Sequence, residues 1–237
     1  MKAIIFSAGL GTRFKPWTDK HPKALALING KSLLQRNVEY LQQSGIYDVV
    51  VNVHHFADQI ENAIASANGW GSRVVISDER NEVLETGGGL VKAAAHFNDD
   101  HFVALNVDVL TNLDLSQMIA HHKSSGAIAT LAVSDRNTSR FFLFDDQQQL
   151  CGWRNVSTGQ ERLSLVRPSY IQKAFSGVHV IDPTLFSHIA LQGKFSMVDV
   201  YLDAAAKAGI FGFDHTGSKF IDVGKPESVA VAEAMFP

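Results

Sequence analysis

Along the first half of this chain, short apolar runs alternate with stretches whose apolar positions recur every three to four residues. Residues 2–6 and 48–53 are near-continuous apolar runs of strand length. Residues 32–44 carry Leu33, Leu34, Val38 and Leu41 at helical spacing, and Gly45 stops the pattern. The same reading predicts helices over 57–67 and 89–96, and strands over 74–77 and 102–106. Strands that alternate with helices imply right-handed βαβ units around a mostly parallel sheet.

The second half is less regular. Residues 127–133, 141–145, 150–154 and 175–181 read as strands with no long helix between most of them. This predicts an antiparallel portion added to the parallel sheet. A helix is expected over 195–208, followed by strands over 210–214 and 220–223. No repeat, low-complexity tract or linker divides the chain, so residues 1–237 are expected to form one α/β domain. In open sheets of this kind ligands sit at the carboxyl ends of the strands. A glycine loop after residue 6 and Asp108 both fall at such ends.

Composition narrows the function classes. With 46% hydrophobic and 19% charged residues the chain can bury a full core, and its net charge of −3 with no long basic run argues against a nucleic-acid or anionic-membrane partner. The single cysteine, Cys151, cannot form an intramolecular disulfide, which points to a reducing cytoplasm. The apolar run 3–6 is too short for a signal peptide, and nothing approaches the ~18 apolar residues that would span a bilayer. A monomer or small homo-oligomer is expected. The pairs His54-His55 and His121-His122 point apart on either a strand or a helix, so neither is read as a chelate. Cys151 reads as a small buried residue, Phe141, Phe142 and Phe144 as core, and Asp145-Asp146 as a solvated hairpin turn.

Candidate chemistry begins at Ala8-Gly9-Leu10-Gly11-Thr12-Arg13, directly after the first strand. Glycines let the backbone approach a phosphate, and arginine offers a planar donor fork. The loop is neither the dinucleotide fingerprint, because Phe14 occupies the third glycine's place, nor a P-loop, because Gly-Lys-Ser/Thr is absent. On these residues alone a tight structural turn remains an alternative. Asp108, just past an apolar strand, is a hard oxygen donor of the kind that suits Mg²⁺, whereas Asp222, in Phe220-Ile221-Asp222-Val223-Gly224-Lys225-Pro226, reads on its own residues as a turn or helix-cap aspartate.

The continuation to Lys23 sharpens the picture. Gly9, Gly11, Thr12, Arg13, Pro16, Thr18, Pro22 and Lys23 stand in the register of the sugar-1-phosphate nucleotidylyltransferase signature, and the chain resembles that family over essentially its whole length. The resemblance implies a Rossmann-like mixed sheet flanked by helices. It implies attack of a sugar 1-phosphate on the α-phosphorus of an NTP, with release of pyrophosphate. Arg13 would then bind the departing β/γ-phosphates and Lys23 the α-phosphate region, with Ala8, Gly9, Gly11 and Thr12 lining the nucleotide. Asp108 and Asp222 correspond to the family's metal aspartates for Mg²⁺, although Val107 replaces the family's glycine and is expected to narrow the space there. Glu85-Thr86-Gly87, before the expected helix, corresponds to the segment that lies against the base. Its form Leu84-Glu85-Thr86-Gly87-Gly88-Gly89 looks most like the N-acetylmuramate-1-phosphate uridylyltransferases of cell-wall recycling, which implies UTP. Mannose- and heptose-1-phosphate guanylyltransferases carry related segments, and a nucleotide-sugar sensor that keeps the fold without turnover is the non-enzyme alternative. Asn106 and Gly177 correspond to sugar-pocket positions. Arg154 stands near the family's Glu-Lys pair and is the candidate cation for the sugar phosphate.

Overall fold

The computed structural model describes residues 1–98 and 100–237. In the first half, strands β1 (Lys2–Phe6), β2 (Leu27–Ile28), β3 (Lys31–Ser32), β4 (Asp48–Val53), β5 (Arg73–Asp78), β6 (Phe102–Asn106) and β7 (Val109–Thr111) are interleaved with helices α1 (Leu33–Gln43), α2 (Ala57–Ser66) and α3 (Glu85–Lys92). The second half adds α4 (Leu115–Ser125), β8 (Ala129–Ser134), β9 (Arg140–Phe144), β10 (Leu150–Asn155), β11 (Gln160–Leu163), β12 (Ile171–Ile181), α5 (Met197–Ala205), β13 (Ile210–Asp214), β14 (Phe220–Asp222) and α6 (Ser228–Met235). The main sheet runs β11-β10-β9-β12-β6-β1-β4-β5, and β8 joins β12 to β13. Strands β6, β1, β4 and β5 are mutually parallel, whereas β12 and the β9-β10-β11 meander are antiparallel.

The alternation of strand side chains makes this a three-layer molecule. Ala3 and Ile5, Val49, Val51 and Val53, and Val103 and Leu105 face one core with α1, α2, α4 and α6. Ile4 and Phe6, Val50, and Phe102 and Ala104 face the other with α3 and α5. α1 begins where Ser32 Oγ accepts the Gln35 N–H at 3.0 Å. α5 begins with a capping box between Ser196 and Asp199.

Register fixes where a site can form. Lys2 pairs with both Asp48 and Phe102, and Phe6 with both Asn52 and Asn106. The carboxyl ends of β1, β4 and β6 therefore finish level, and the glycine loop, Asn52 and the Asn106–Asp108 turn meet at one edge.

Several expectations need correction. The helix expected from Gly89 starts at Glu85, so the Thr-Gly-Gly-Gly run lies inside α3 instead of preceding it. The turn after β9 is present, but Asp145 is buried: its carboxylate accepts the Gln147 and Gln149 N–H groups and pairs with Arg167 at 3.1 Å. Phe142, Phe144 and Cys151 are core residues as expected. No helix is long and apolar enough to cross a membrane among the described residues.

α4 was not expected, and its buried face includes a histidine. His122 Nδ1 lies 2.9 Å from Thr130 Oγ1, and Nε2 lies 3.0 Å from His101 Nδ1. Burial, then the charge of His101, pushes His122 down to about 4, against the opposing pull of Asp182. The ordinary histidine value is near 6.5, so between pH 6.5 and 4 the unfolded chain holds a proton here that the native chain lacks. The stability this provides is complete above about pH 6.5 and is lost as pH falls toward 4, at up to ~1.4 kcal/mol per pH unit. His122→Gln is expected to remove about one proton from the pH slope of the unfolding free energy across that window. Urea melts at several pH values measure the slope, and an unaltered slope would reject this assignment.

Candidate active site

At the level ends of β1, β4 and β6 lies a cleft of about 500 Å³. Ala8, Gly9, Gly11, Thr12 and Arg13 form one wall with Lys23, while Glu85 and Thr86 form the opposite wall with Lys194. Asn106, Val107 and Asp108 close the floor. Most of the sequence-derived residues thus line the cleft; Gly87, Gly177, Arg154 and Asp222 do not, although Asp222 stands near Asp108.

The glycine loop is held from beneath by a residue the sequence reading missed. Asn52, 2% exposed, is a lone amide in an apolar strand. Its Oδ1 accepts the Ser7 N–H at 2.6 Å and the Ala8 N–H at 3.2 Å, and its Nδ2 donates to Glu79 Oε1 at 2.9 Å. Glu79 is fully buried, its Oε2 has no hydrogen-bond partner among the described residues, and burial pushes its carboxyl up. Gly89 of α3 packs on this pair: a Cβ there would lie 2.7 Å from Glu79 Oε1 and 2.8 Å from Asn52 Nδ2. One buried polar link therefore joins the loop on one wall to the helix on the other. An Asn inside Val-Val-Val-Asn-Val was the available signal, because a polar group in a buried strand needs partners.

The two loop glycines have different causes. Gly11 has φ +61°, and a Cβ would lie 2.8 Å from Thr18 Cγ2, while Thr18 Oγ1 donates to Gly11 O at 2.9 Å. Folding alone explains it. At Gly9 a Cβ would meet nothing within 4 Å, so no protein contact requires glycine there. Gly9→Ala is expected to leave unfolding free energy unchanged, or to raise it by up to ~1 kcal/mol through the unfolded chain. It should weaken nucleotide binding about tenfold, because the methyl group fills the space for the phosphates. Calorimetric NTP titration beside a urea melt checks both halves, and unchanged affinity would assign Gly9 to the turn alone.

The charged groups gather around two aspartates. Lys23 Nζ lies 2.5 Å from Asp108 Oδ2. β14 pairs antiparallel with β7, opposing Asp222 to Val109, and the Val223 N–H donates to Asp108 O at 2.8 Å, so the two aspartates stand on adjoining backbones. Asp222 is open to solvent at the rim, yet its carboxyl is pushed up, first by the protein atoms that displace water around it and then by the charge of Asp108. Lys23, Arg13 and Arg136 pull the other way. Gly224 makes room for this arrangement, since a Cβ there would lie 2.8 Å from Asp222 Oδ1 and 3.1 Å from an Arg13 guanidinium nitrogen. Val107 needs no glycine conformation. Its side chain packs into the core, its N–H donates to Phe6 O at 3.1 Å, and its carbonyl accepts from Asn37 Nδ2 at 2.9 Å.

Three expected contacts are arranged differently. Gly87 is buried away from the cleft lining, its N–H donates to Phe195 O at 2.9 Å, and a Cβ would collide with the Phe195 ring at 2.5 Å. Gly87 and Gly88 serve close packing against 193–195, and Glu85 and Thr86 carry the cleft wall. Thr86 Oγ1 also accepts the Met197 N–H at 3.0 Å. Glu85, at φ +58°, holds a conformation that L-residues rarely adopt, with Oε1 3.6 Å from Lys194 Nζ. Gly177 sits in an irregularity of the β12–β8 pairing at φ +71°, and the group that approaches it closely is Asn106, whose Nδ2 would lie 2.8 Å from a Cβ. Arg154 is engaged across β10 and β11 by Glu161 at 2.5 Å, and it does not line the cleft. The family resemblance implied a cation for the sugar phosphate at this position, but Arg154 is turned toward its strand partner.

The mixed sheet, parallel through its centre, with a cleft over its strand ends, is the nucleotide-diphospho-sugar transferase fold of its solved neighbours. A solved structure described as HddC from Yersinia pseudotuberculosis complexed with GMP-PN matches it with a TM-score of 0.79 at 24% identity, covering 100% of this chain and 99% of that one. Residues 2–149 match the family model described as nucleotidyl transferase. An N-acetylmuramate alpha-1-phosphate uridylyltransferase from Caulobacter vibrioides is 31% identical over 98% of this chain and 95% of its own. A mannose-1-phosphate guanylyltransferase catalytic subunit beta from Xenopus tropicalis is 26% identical over 100% of this chain and 64% of its own. The chain belongs to the nucleotidyl transferase family, as a sugar-1-phosphate nucleotidyltransferase.

Proposed function

We propose that this chain transfers the uridylyl group of UTP to N-acetylmuramate 1-phosphate, with Mg²⁺ held by Asp108 and Asp222, as a cytoplasmic step of peptidoglycan recycling. The observation that carries the chemistry is the convergence of those aspartates with Lys23 and Arg13 at the open end of the glycine loop. The substrate pair rests on the Caulobacter relative, aligned almost end to end.

The donor set fits Mg²⁺. Asp108 and Asp222 stand near enough for their charges to act on each other. Two carboxylates suit an ion that takes one or two of them and completes its shell with waters and phosphate oxygens. When bound there it would supply positive charge to the phosphate oxygens of both substrates. The remaining work falls to the chain. Gly9 leaves space for the triphosphate, Arg13 draws charge toward the leaving pyrophosphate, and Lys23 sits where it can hold the α-phosphate oxygens. The Thr86 hydroxyl, already accepting from Met197, keeps its own proton to donate to a base carbonyl. Asn106, wedged beside Gly177, presents its amide to the sugar. Because both reactants are anions, orientation and charge neutralisation supply most of the rate.

One observation favours a second reading. Glu85 is an acceptor-only carboxylate on the base wall, and guanine offers two adjacent donors to such a group, so GTP with mannose 1-phosphate is the alternative. Pyrophosphate release with UTP, GTP, dTTP and CTP, each against N-acetylmuramate, N-acetylglucosamine, glucose and mannose 1-phosphates, separates the two. Best turnover with UTP and N-acetylmuramate 1-phosphate is expected, and a GTP–mannose maximum replaces this reading with the second.

A further inference from the structure

In-line transfer needs the attacking phosphate on the side of the α-phosphorus opposite the leaving pyrophosphate. Arg13 and Lys23 act on the aspartates from the nucleotide-loop side, and a third cation, Arg136, comes from a different segment of the chain. Arg136 lies in the connection between β8 and β9. Its guanidinium is 4.9 Å from the centroid of the Phe220 ring, and an Nη donates to Phe175 O at 2.7 Å. Phe220 and Asp222 are two residues apart on β14 and so share a face. Phe175 leads into Ser176-Gly177, and Gly177 abuts Asn106 on the cleft floor. These contacts set Arg136 beside β14, with Asp222 near enough for its charge to bear on the guanidinium, and next to the strand segment that abuts Asn106; Arg136 itself is not among the residues that line the cleft.

This cation is not used up by the fold. The adjacent Asp135 is taken by Lys173 at 2.7 Å, which also holds Asp214 at 2.5 Å. The carboxylate whose charge bears on Arg136 is Asp222, and Arg136 Nε is buried with no hydrogen-bond partner among the described residues. Held by an aromatic ring and one carbonyl, and in no ion pair among the described residues, this guanidinium keeps Nη donors that an incoming anion can use, whereas its buried Nε stays out of reach. Arg154, the cation expected for this task, is held by Glu161.

We propose that Arg136 binds the phosphate of the incoming sugar 1-phosphate, aligning it for attack alongside Asp222. The inference rests on the reaction assigned above. The test is steady-state kinetics of Arg136→Gln and Arg136→Lys, with Arg154→Gln in parallel and calorimetric UTP binding on each. Arg136→Gln is expected to raise KM for the sugar 1-phosphate at least about tenfold and to leave the UTP Kd within about twofold. Arg136→Lys, which keeps the charge and loses the fork, should recover part of that KM. Should the Gln variant fail to fold, the Lys variant carries the test by the same split. A merely structural role, loosening Phe220 and Asp222, would lower kcat or weaken UTP binding with KM for the sugar phosphate unmoved, and that pattern overturns the proposal. An unchanged KM in the Arg136 variants, or a rise found in Arg154→Gln instead, overturns it alone. Absence of turnover by the wild-type enzyme with every sugar 1-phosphate overturns it together with the assigned reaction.

Discussion

Asp108→Asn and Asp222→Asn are each expected to slow pyrophosphate release by about 10³-fold, the scale of losing a preorganised charge at a reacting phosphate. Both substitutions keep size and shape and remove one negative charge from the pair that gathers Lys23, Arg13 and Arg136. Their effects on the fold should differ. The Asp222 carboxyl is pushed up by desolvation and by Asp108, so at neutral pH its charge opposes folding, and Asp222→Asn should be as stable as wild type or more so. Asp108→Asn takes the partner from Lys23, whose side chain is 11% exposed, and should cost stability. Pyrophosphate assays beside urea melts read both quantities. Near-normal turnover in both variants would remove the aspartates from the chemistry.

Gly88→Ala is expected to destabilise the protein by about 1–3 kcal/mol, although Ala in a helix interior is ordinarily better than Gly by up to ~1 kcal/mol. A Cβ at Gly88 would overlap Gly193 O and lie 3.0 Å from Leu84 Cβ. Gly193 O is backbone, part of the segment whose Phe195 O accepts both the Gly87 and Gly88 N–H groups, so it has little freedom to withdraw. For a chain of this size each kcal/mol should lower Tm by about 2–4 °C. A calorimetric Tm at or above the wild-type value would mean that the α3 glycines are not there for packing. Set beside Gly9→Ala, which should weaken nucleotide binding without loss of stability, this substitution separates a glycine needed by the fold from one that leaves room for a ligand.

The elements that position the site could be read from the residues, because β1, β4 and β6 are buried on both faces and announce themselves as apolar runs. What escaped the sequence has identifiable causes. Three glycines spoke against a helix at 85–89, yet the contacts of Gly87 and Gly88 with 193–195 and of Gly89 with Asn52 and Glu79 outweigh their propensity. α4 lacks a clear apolar stripe because His122 occupies one of its buried positions. β11, Gln160–Leu163, is exposed throughout and shows no alternation. At the site, the motif residues were visible because they are local. Asn52, Glu79 and Arg136 act through partners 27 to 45 residues away, in the case of the buried link, or through Phe175 and Phe220, and no spacing rule reveals them.

The most direct test of the account is product analysis of one reaction: UTP, N-acetylmuramate 1-phosphate and Mg²⁺ with the wild-type enzyme, following both phosphorus-containing products over time. The account predicts UDP-N-acetylmuramate and pyrophosphate in equal amounts, with formation of both stopped by chelation of the metal. Formation of UDP or UMP without a sugar nucleotide, or turnover that persists in excess chelator, would contradict it.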